Sequence, residues 1–220
     1  WENQTGYKGI FTQYVNKHMS LEKLDAFLAQ AGEYEADEIS LDMSQATLEQ
    51  KAHLTRVPCA LNDSSEKALY PNLTHVDGGL NFNITRNPSL PRLEYVGKDI
   101  RIMNAEVVDL PSLIHVGTDS HGYSLWIAQD IRELRANKLA QIPGKIYRDA
   151  PRNGQKPVLG LVVFEMRALT TATEIHTGDA ALVSLESLES VGKLKIENPR
   201  GKVLTLPSLV EAETLALGYL

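Results

Sequence analysis

Leu73, Leu93 and Leu113 lie twenty residues apart, as do Val76, Val96 and Val116. After each valine comes Asp or Gly, and then a short alternating segment such as LNFN at Leu80 or IRIM at Ile100. The phrases LPRLEYVGKDIRI (90–102), LPSLIHVG (110–117) and LESLESVGKLKI (185–196) are near copies of one another. Period-two alternation over four or five residues, bounded by Gly, Asp, Asn and Pro, predicts a short strand. A twenty-residue unit then holds about two strands and two corners, too little to bury an apolar face alone, so each unit must stack on its neighbours. The leucines and valines become ladders inside a coil, with successive strands paired in parallel about 4.8 Å apart.

The period can be followed less regularly through the middle of the chain. Ile131, Leu134, Leu139 and Ile142 fit a degenerate coil, while DIRELRANKLAQI also has helical spacing and good helix formers, so both readings of 129–142 stand. PVLGLVVFEMRAL (157–169) reads as the most apolar strand. Two stretches break the pattern. TDSHGY, from Thr118 to Tyr123, lengthens one corner, and PGKIYRDAPRNGQKP (143–157), rich in Pro, Gly and charge, reads as a loop projecting from the coil. The first 68 residues differ again. Ser20 is placed to cap a helix over LEKLDAFLAQA, with Met19 and Leu24 as a hydrophobic staple and Gly32 as the stop, and a second helix fits SQATLEQKAHL from Ser44. EISLDMS between them alternates like a strand. Residues 1–68 are therefore expected to form a helical N-terminal cap over the first coil, and 69–220 a β-solenoid repeat domain with a loop insertion near 143–157. LALGYL leaves a strand edge through which chains can pair into an oligomer.

These repeats resemble leucine-rich repeats, most closely the receptor L-domain variety. The resemblance covers roughly Tyr70–Ala128 and Leu185–Leu217. It implies a mainly β fold, a right-handed parallel β-solenoid of roughly 20-residue coils, and a non-catalytic scaffold that binds another protein. Asn104 and Asn198 resemble the repeat's Asn position, whose side chain would bond backbone groups at a corner.

Composition narrows the function. A hydrophobic content of 43% over 220 residues is enough for a core. The net charge of -6 removes the electrostatic term on which general binding to nucleic acid or anionic membrane depends. No run of eighteen apolar residues is present, so membrane insertion is not expected. Trp1 in place of an initiating Met reads as a processed or trimmed chain. The single cysteine, Cys59, excludes an internal disulfide and a cysteine zinc site. The lack of disulfides favours an intracellular or bacterial setting, and four sequons, at Asn3, Asn62, Asn72 and Asn83, keep a secreted one open, so localisation is unassigned.

Residues between the inward Leu and Val positions point outward in columns. One runs His75, Tyr95, His115 and, in a later coil, Ser190, beside Thr74, Glu94, Ile114 and Glu189; another runs Asn81, Arg101, Trp126, Lys195, beside Asn83, Met103, Ala128 and Glu197. Amphipathic side chains repeated on one face are how repeat proteins build binding surfaces. The expected partner-binding residues are His75, Glu94, Tyr95, Arg101, Met103, His115 and Trp126, joined by Asp119, His121, Tyr123, Tyr147 and Arg148 from the inserted loops. The bland alternative is a solvated face. His75 and His115 sit two coils apart with Tyr95 between, which disfavours a shared metal, so no metal or cofactor is expected. Asp119, Ser120 and His121 are the right chemical types for nucleophilic catalysis, but adjacency in sequence is not a triad. Arg92, Glu94, Arg101 and Asp119 are the best set for a carbohydrate-active β-helix, yet no column holds two neighbouring acids. A protein partner is the first expectation, no enzymatic activity is expected, and carbohydrate binding is the alternative.

Overall fold

The structure is a computed structural model that describes residues 11–36, 38–83, 87–128, 131–148, 163–178, 180–197 and 203–218. The chain runs β1 (Phe11–Asn16), α1 (Leu21–Ala31), β2 (Ile39–Gln45), α2 (Leu48–His53), β3 (Arg56–Val57), β4 (Ala60–Asp63), β5 (His75–Val76), β6 (Leu80–Asn83), β7 (Tyr95–Val96), β8 (Ile100–Met103), β9 (Val107–Asp109) and β10 (His115–Val116). It continues through β11 (Tyr123–Ile127), β12 (Glu133–Arg135), β13 (Gln141–Arg148), β14 (Val163–Glu165), β15 (Thr171–Gly178), β16 (Leu182–Ser184), β17 (Ser190–Glu197), β18 (Val203–Thr205) and β19 (Glu211–Gly218). The strands form three sheets: a ten-stranded sheet ordered β1-β2-β4-β6-β8-β11-β13-β15-β17-β19, a four-stranded sheet of β3, β5, β7 and β10, and a five-stranded sheet of β9, β12, β14, β16 and β18. Every pairing is parallel. The result is a β-solenoid of about 7 turns.

The twenty-residue spacing becomes vertical alignment. Val57, Val76, Val96 and Val116 are direct partners on successive strands, and all are fully buried. A longer ladder crosses the ten-stranded sheet from Leu41 through Leu61, Leu80, Ile100, Leu125, Ile146, Ile175 and Leu194 to Leu215. On the five-stranded sheet Val108, Leu134, Phe164, Val183 and Leu204 do the same. Each inward side chain is covered above and below, and burying one is worth about 1.5–3 kcal/mol. The last rung shows what that cover does: Leu204 and Leu215 are 40% and 50% exposed, whereas their ladder partners are buried. Cys59 is fully buried among these side chains, and burial, with Asp77 adding to it, pushes its thiol up to about 12.

Several expectations are corrected. Residues 131–148 form β12 and β13 with no helix, because Leu134 and Ile146 are held in the ladders. Pro143 to Arg148 is likewise strand and not loop. From β13 onward the segments on either side of a corner run together as one eight-residue strand, and the alternation of Ile142 and Ile146 places both in the core. The remainder of the expected insertion lies outside the described residues. Helix α1 matches LEKLDAFLAQA, with the Ser20 hydroxyl accepting from the Lys23 N–H and Leu24 and Ala31 buried. Helix α2 begins at Leu48 rather than at Ser44, because β2 stays paired through Ser40–Asp42 with β4 and the chain remains extended to Gln45. Thr47 caps α2 in a reciprocal pair with Gln50, whose side-chain amide also donates to the Asn16 and Met19 carbonyls. Strands β1, β2 and β4 extend the ten-stranded sheet, so residues 11–63 share its hydrogen bonding.

The Asn104 expectation fails in a specific way. Its backbone is left-handed (φ 57°) and its side-chain amide donates to the Asn83 side chain, whereas the corner amides of Glu106 and Val107 donate to the Asn87 side-chain Oδ1. Asn198 lies outside the described residues.

Two details set the cost of disturbing the stack. A Cβ on Gly117 would sit 2.0 Å from the Gly97 carbonyl oxygen, and one on Gly97 would sit 2.2 Å from that of Asp77, so the corners after Val96 and Val116 close only over glycine, whereas Asp77 fills the equivalent place after Val76. Near the other end, Lys51 of α2 is buried with its ammonium donating to Asp63 Oδ2 at 2.6 Å, to the Ser65 hydroxyl and to the Lys67 carbonyl. The Tyr70 hydroxyl donates to the same Asp63 oxygen at 2.7 Å, and burial followed by the Asp63 charge raises its pKa well above the ordinary value. All three ammonium protons are therefore used, which is what allows a charge to be buried at all.

Gly117→Ala is expected to destabilise the fold by about 1–3 kcal/mol, read as a lower urea midpoint. Gly32→Ala serves as the control, because its Cβ would meet nothing closer than 3.5 Å. Lys51→Met alone should cost about 3–5 kcal/mol by stranding Asp63, and Lys51→Met with Asp63→Leu should recover much of that loss.

Candidate functional site

Side chains alternate across a strand, so the residues flanking each ladder position point away from the core. On the ten-stranded sheet one such column runs in direct register from Asp42 through Asn62, Asn81, Arg101 and Trp126 to Tyr147. His176 of β15 lies next, its ring centroid 6.0 Å from that of Tyr147, and Lys195 pairs with His176. The expected order Asn81, Arg101, Trp126, Lys195 is thus correct in sequence but omits Tyr147 and His176, which sit between the last two.

Arg101 is the hinge of this column. Its guanidinium bonds Asp99 through Nε and Asp119 Oδ2 through Nη2 at 2.6 Å, and its carbon lies 5.1 Å from the Trp126 ring centroid. Burial works against its charge, but the hydrogen bond and charge of Asp99, with Asp119 behind it, outweigh that cost and raise its pKa. Asp119 comes from the lengthened corner TDSHGY. Its other carboxylate oxygen accepts from the backbone N–H groups of His121 and Tyr123, each at 2.8 Å, while Gly122 takes φ 78° to close the turn. Burial again opposes the charge, and those two amides together with Arg101 hold the Asp119 carboxyl below its ordinary 3.8.

Beyond Arg101 the rings pack tilted against one another, with Trp126 and Tyr147 edge to face. Tyr123 and Trp126 are 5.4 Å apart at 47°, Tyr123 and Tyr147 5.4 Å at 60°, and Trp126 and Tyr147 5.7 Å at 83°. The cluster ends at Glu174, which collects Lys193 and the His176 ring at 2.8 Å each and Lys145 at 3.7 Å. Burial disfavours its charge, yet the bonds from Lys193 and His176 prevail and lower its pKa. In front of Arg101, where the column carries Asp42, Asn62 and Asn81, the face sinks into a depression of about 310 Å³.

The expected partner-binding residues therefore divide between two faces. Arg101, Met103, Tyr123, Trp126 and Tyr147 share the ten-stranded sheet, with Asp119 holding Arg101 from the adjoining turn and Met103 40% exposed. Arg148 pairs in the same sheet opposite Ile127. His75, Tyr95 and His115 stand instead on the four-stranded sheet, stacked ring on ring with centroids 5.7 and 4.5 Å apart and Tyr95 in the middle, whereas Ser190, expected in their column, begins β17 of the ten-stranded sheet. Glu94 is exposed beside them. His121 points into solvent, its side chain 75% exposed, and the Ser120–His121 contact is a 3.3 Å bond between chain neighbours. Asp119 Oδ2 lies 3.6 Å from the His121 Nδ1, beyond hydrogen-bond distance, and its hydrogen bonds go to Arg101 and two backbone amides. Among the described residues no group of three His, Cys, Asp or Glu side chains is placed to hold a metal ion, and no helix is long and apolar enough to cross a membrane.

His176 and Glu174 escaped the sequence reading because the step between corresponding strands is irregular. Tyr147 and His176 are twenty-nine residues apart, not twenty, and only the sheet register aligns them. The available signal was the alternation in EIHT, which puts Ile175 and Thr177 in the core and leaves Glu174 and His176 on the outside. No family model matches the chain, and neither does any curated protein or solved structure.

The pKa direction at Asp119 sets a pH window. A carboxyl lowered by folding contributes stability above its unfolded value, and that contribution is lost as pH falls through the folded one. Asp119→Asn should lower the melting temperature at pH 7, and the gap from wild type should close as the pH falls below about 4, measured by thermal melts from neutral to acidic pH.

Proposed function

We propose that this protein is a non-catalytic recognition module that holds another protein against the outward face of its ten-stranded sheet. The reading is carried by the Arg101–Trp126–Tyr147 column. Trp, Tyr and Arg are the side chains on which interface energy concentrates. Here each is already immobilised by its neighbours, through the cation–π contact, the ring pairs and the Asp99 and Asp119 bonds. A surface ordered before binding has little rotamer entropy left to lose. The charges on either side, Arg101 with its two aspartates and Glu174 with Lys145 and Lys193, give a partner directional contacts around an aromatic centre. In this reading the coils are of the leucine-rich, receptor L-domain kind, and α1 with α2 caps the first of them. The His75–Tyr95–His115 stack on the four-stranded sheet is a second contact surface of the same module.

An assembly element that pairs through its last described coil is the second reading. It is favoured by Val210, Leu215 and Leu217, which are 88%, 50% and 51% exposed. A further layer over them can come from the same polypeptide or from another.

The test of the first reading is affinity capture from the native host with the wild-type chain and with Trp126→Ala/Tyr147→Ala in parallel. The double substitution is expected to lose the captured partner at least tenfold while leaving the circular dichroism spectrum unchanged. A partner retained by the double variant would sink the assignment of this face.

A further inference from the structure

The depression in front of Arg101 has a chemistry of its own. Along the outward column Asp42, Asn62 and Asn81 are short, and the next two residues, Arg101 and Trp126, are tall. The step makes a floor and a wall enclosing about 310 Å³, at the lower end of the range for a small-molecule site. The wall does not move freely, because Arg101 is clamped by two carboxylates and backed by the indole.

The floor is made of groups that both donate and accept. Asn81 donates through Nδ2 to Asn62 Oδ1 at 3.1 Å, a bond that leaves the Asn62 amide hydrogens and the Asn81 side-chain carbonyl unused. Asp42 spends one carboxylate oxygen on the Ser44 N–H, and the Ser44 and Ser64 hydroxyls are 2.7 Å apart at the rim. Ligand hydroxyls, each of which gives and takes a hydrogen bond, match such a set better than groups that only accept.

Charge narrows the class further. Asp63, which also lines the depression, is neutralised by Lys51, and Arg101 is neutralised by Asp99 and Asp119. Among the described lining residues a phosphate, sulfate or uronate would meet Asp42 and no unspent cation. Met103, 40% exposed at the edge, offers an apolar contact for the C–H face of a ring. The rungs repeat about every 4.8 Å, close to the length of one sugar unit in an extended chain.

We propose that this depression binds a neutral oligosaccharide, laid along the solenoid axis with its end against Arg101. The proposal rests on the reading of the ten-stranded face as a recognition surface and adds a ligand class to it.

The experiment is calorimetric titration of the full chain, produced in bacteria so that the sequons at Asn62 and Asn83 stay unmodified, with cellohexaose, mannohexaose, chitohexaose and hexagalacturonate. At least one neutral hexasaccharide should bind saturably, and hexagalacturonate more weakly. Asn81→Ala should weaken that binding about tenfold, as should Asp42→Asn, which keeps the shape of the floor. The proposal is overturned if no neutral sugar saturates at millimolar concentration, if the acidic sugar binds tighter, or if both variants bind like wild type. Its failure is separable from that of the broader reading: a protein partner lost in Trp126→Ala/Tyr147→Ala, with no sugar bound, removes this site and leaves the recognition face standing.

Discussion

Parallel hydrogen bonding between successive coils is the constraint from which the rest of this structure follows. Each strand is held in register with the one beneath it, about 4.8 Å away, so a residue in one coil has a fixed partner in the next. Inward, that rule produces the aliphatic ladders, from Leu41 to Leu215 on the long sheet and from Val57 to Val116 on the short one. At the corners after Val96 and Val116 it demands glycine, because the backbone carbonyl of the coil below occupies the space a Cβ would need.

Outward, the same register aligns polar and aromatic side chains. Arg101 meets Trp126 because they are direct partners, and Trp126 meets Tyr147 for the same reason. Identical spacing gives a floor where the side chains are short and a wall where they are long. The irregular features then tune it. The lengthened corner at Thr118–Tyr123 brings Asp119 onto the Arg101 guanidinium, and Glu174 gathers the cations at the far end. The outward face is thus a by-product of the stacking rule, shaped by one inserted turn.

The buried Lys51–Asp63–Tyr70 network joins these two roles. Its cost in desolvation is offset only because every donor is used, and Asp63 fixes the end of β4 next to the depression. The capping box of α2 and the Gln50 bonds to Asn16 and Met19 tie the same helix to the first strand. Helices and strands at this end of the chain are therefore linked by specific polar contacts as well as by apolar packing.

The repeat was legible wherever copies kept their length. Leu73, Leu93 and Leu113 could be aligned by counting, and so could the stack of His75, Tyr95 and His115, because nothing intervened between coils. Helix α1 was legible from Ser20 and its apolar spacing, which are local signals. Counting failed at Pro143–Arg148, where Pro and Gly signalled a loop but Ile142 and Ile146 had places waiting in a sheet formed by distant residues. It failed again for His176, whose position beside Tyr147 depends on register across a change of period. Alternation and periodicity are properties of the chain itself, and they determined the parallel coil and its inward residues. Which outward residues meet, that Arg101 is shared by Asp99 and Asp119, and that Asn62 and Asn81 form a floor, were decided only in three dimensions, because hydrogen bonds between strands, not distance along the chain, choose each residue's neighbours.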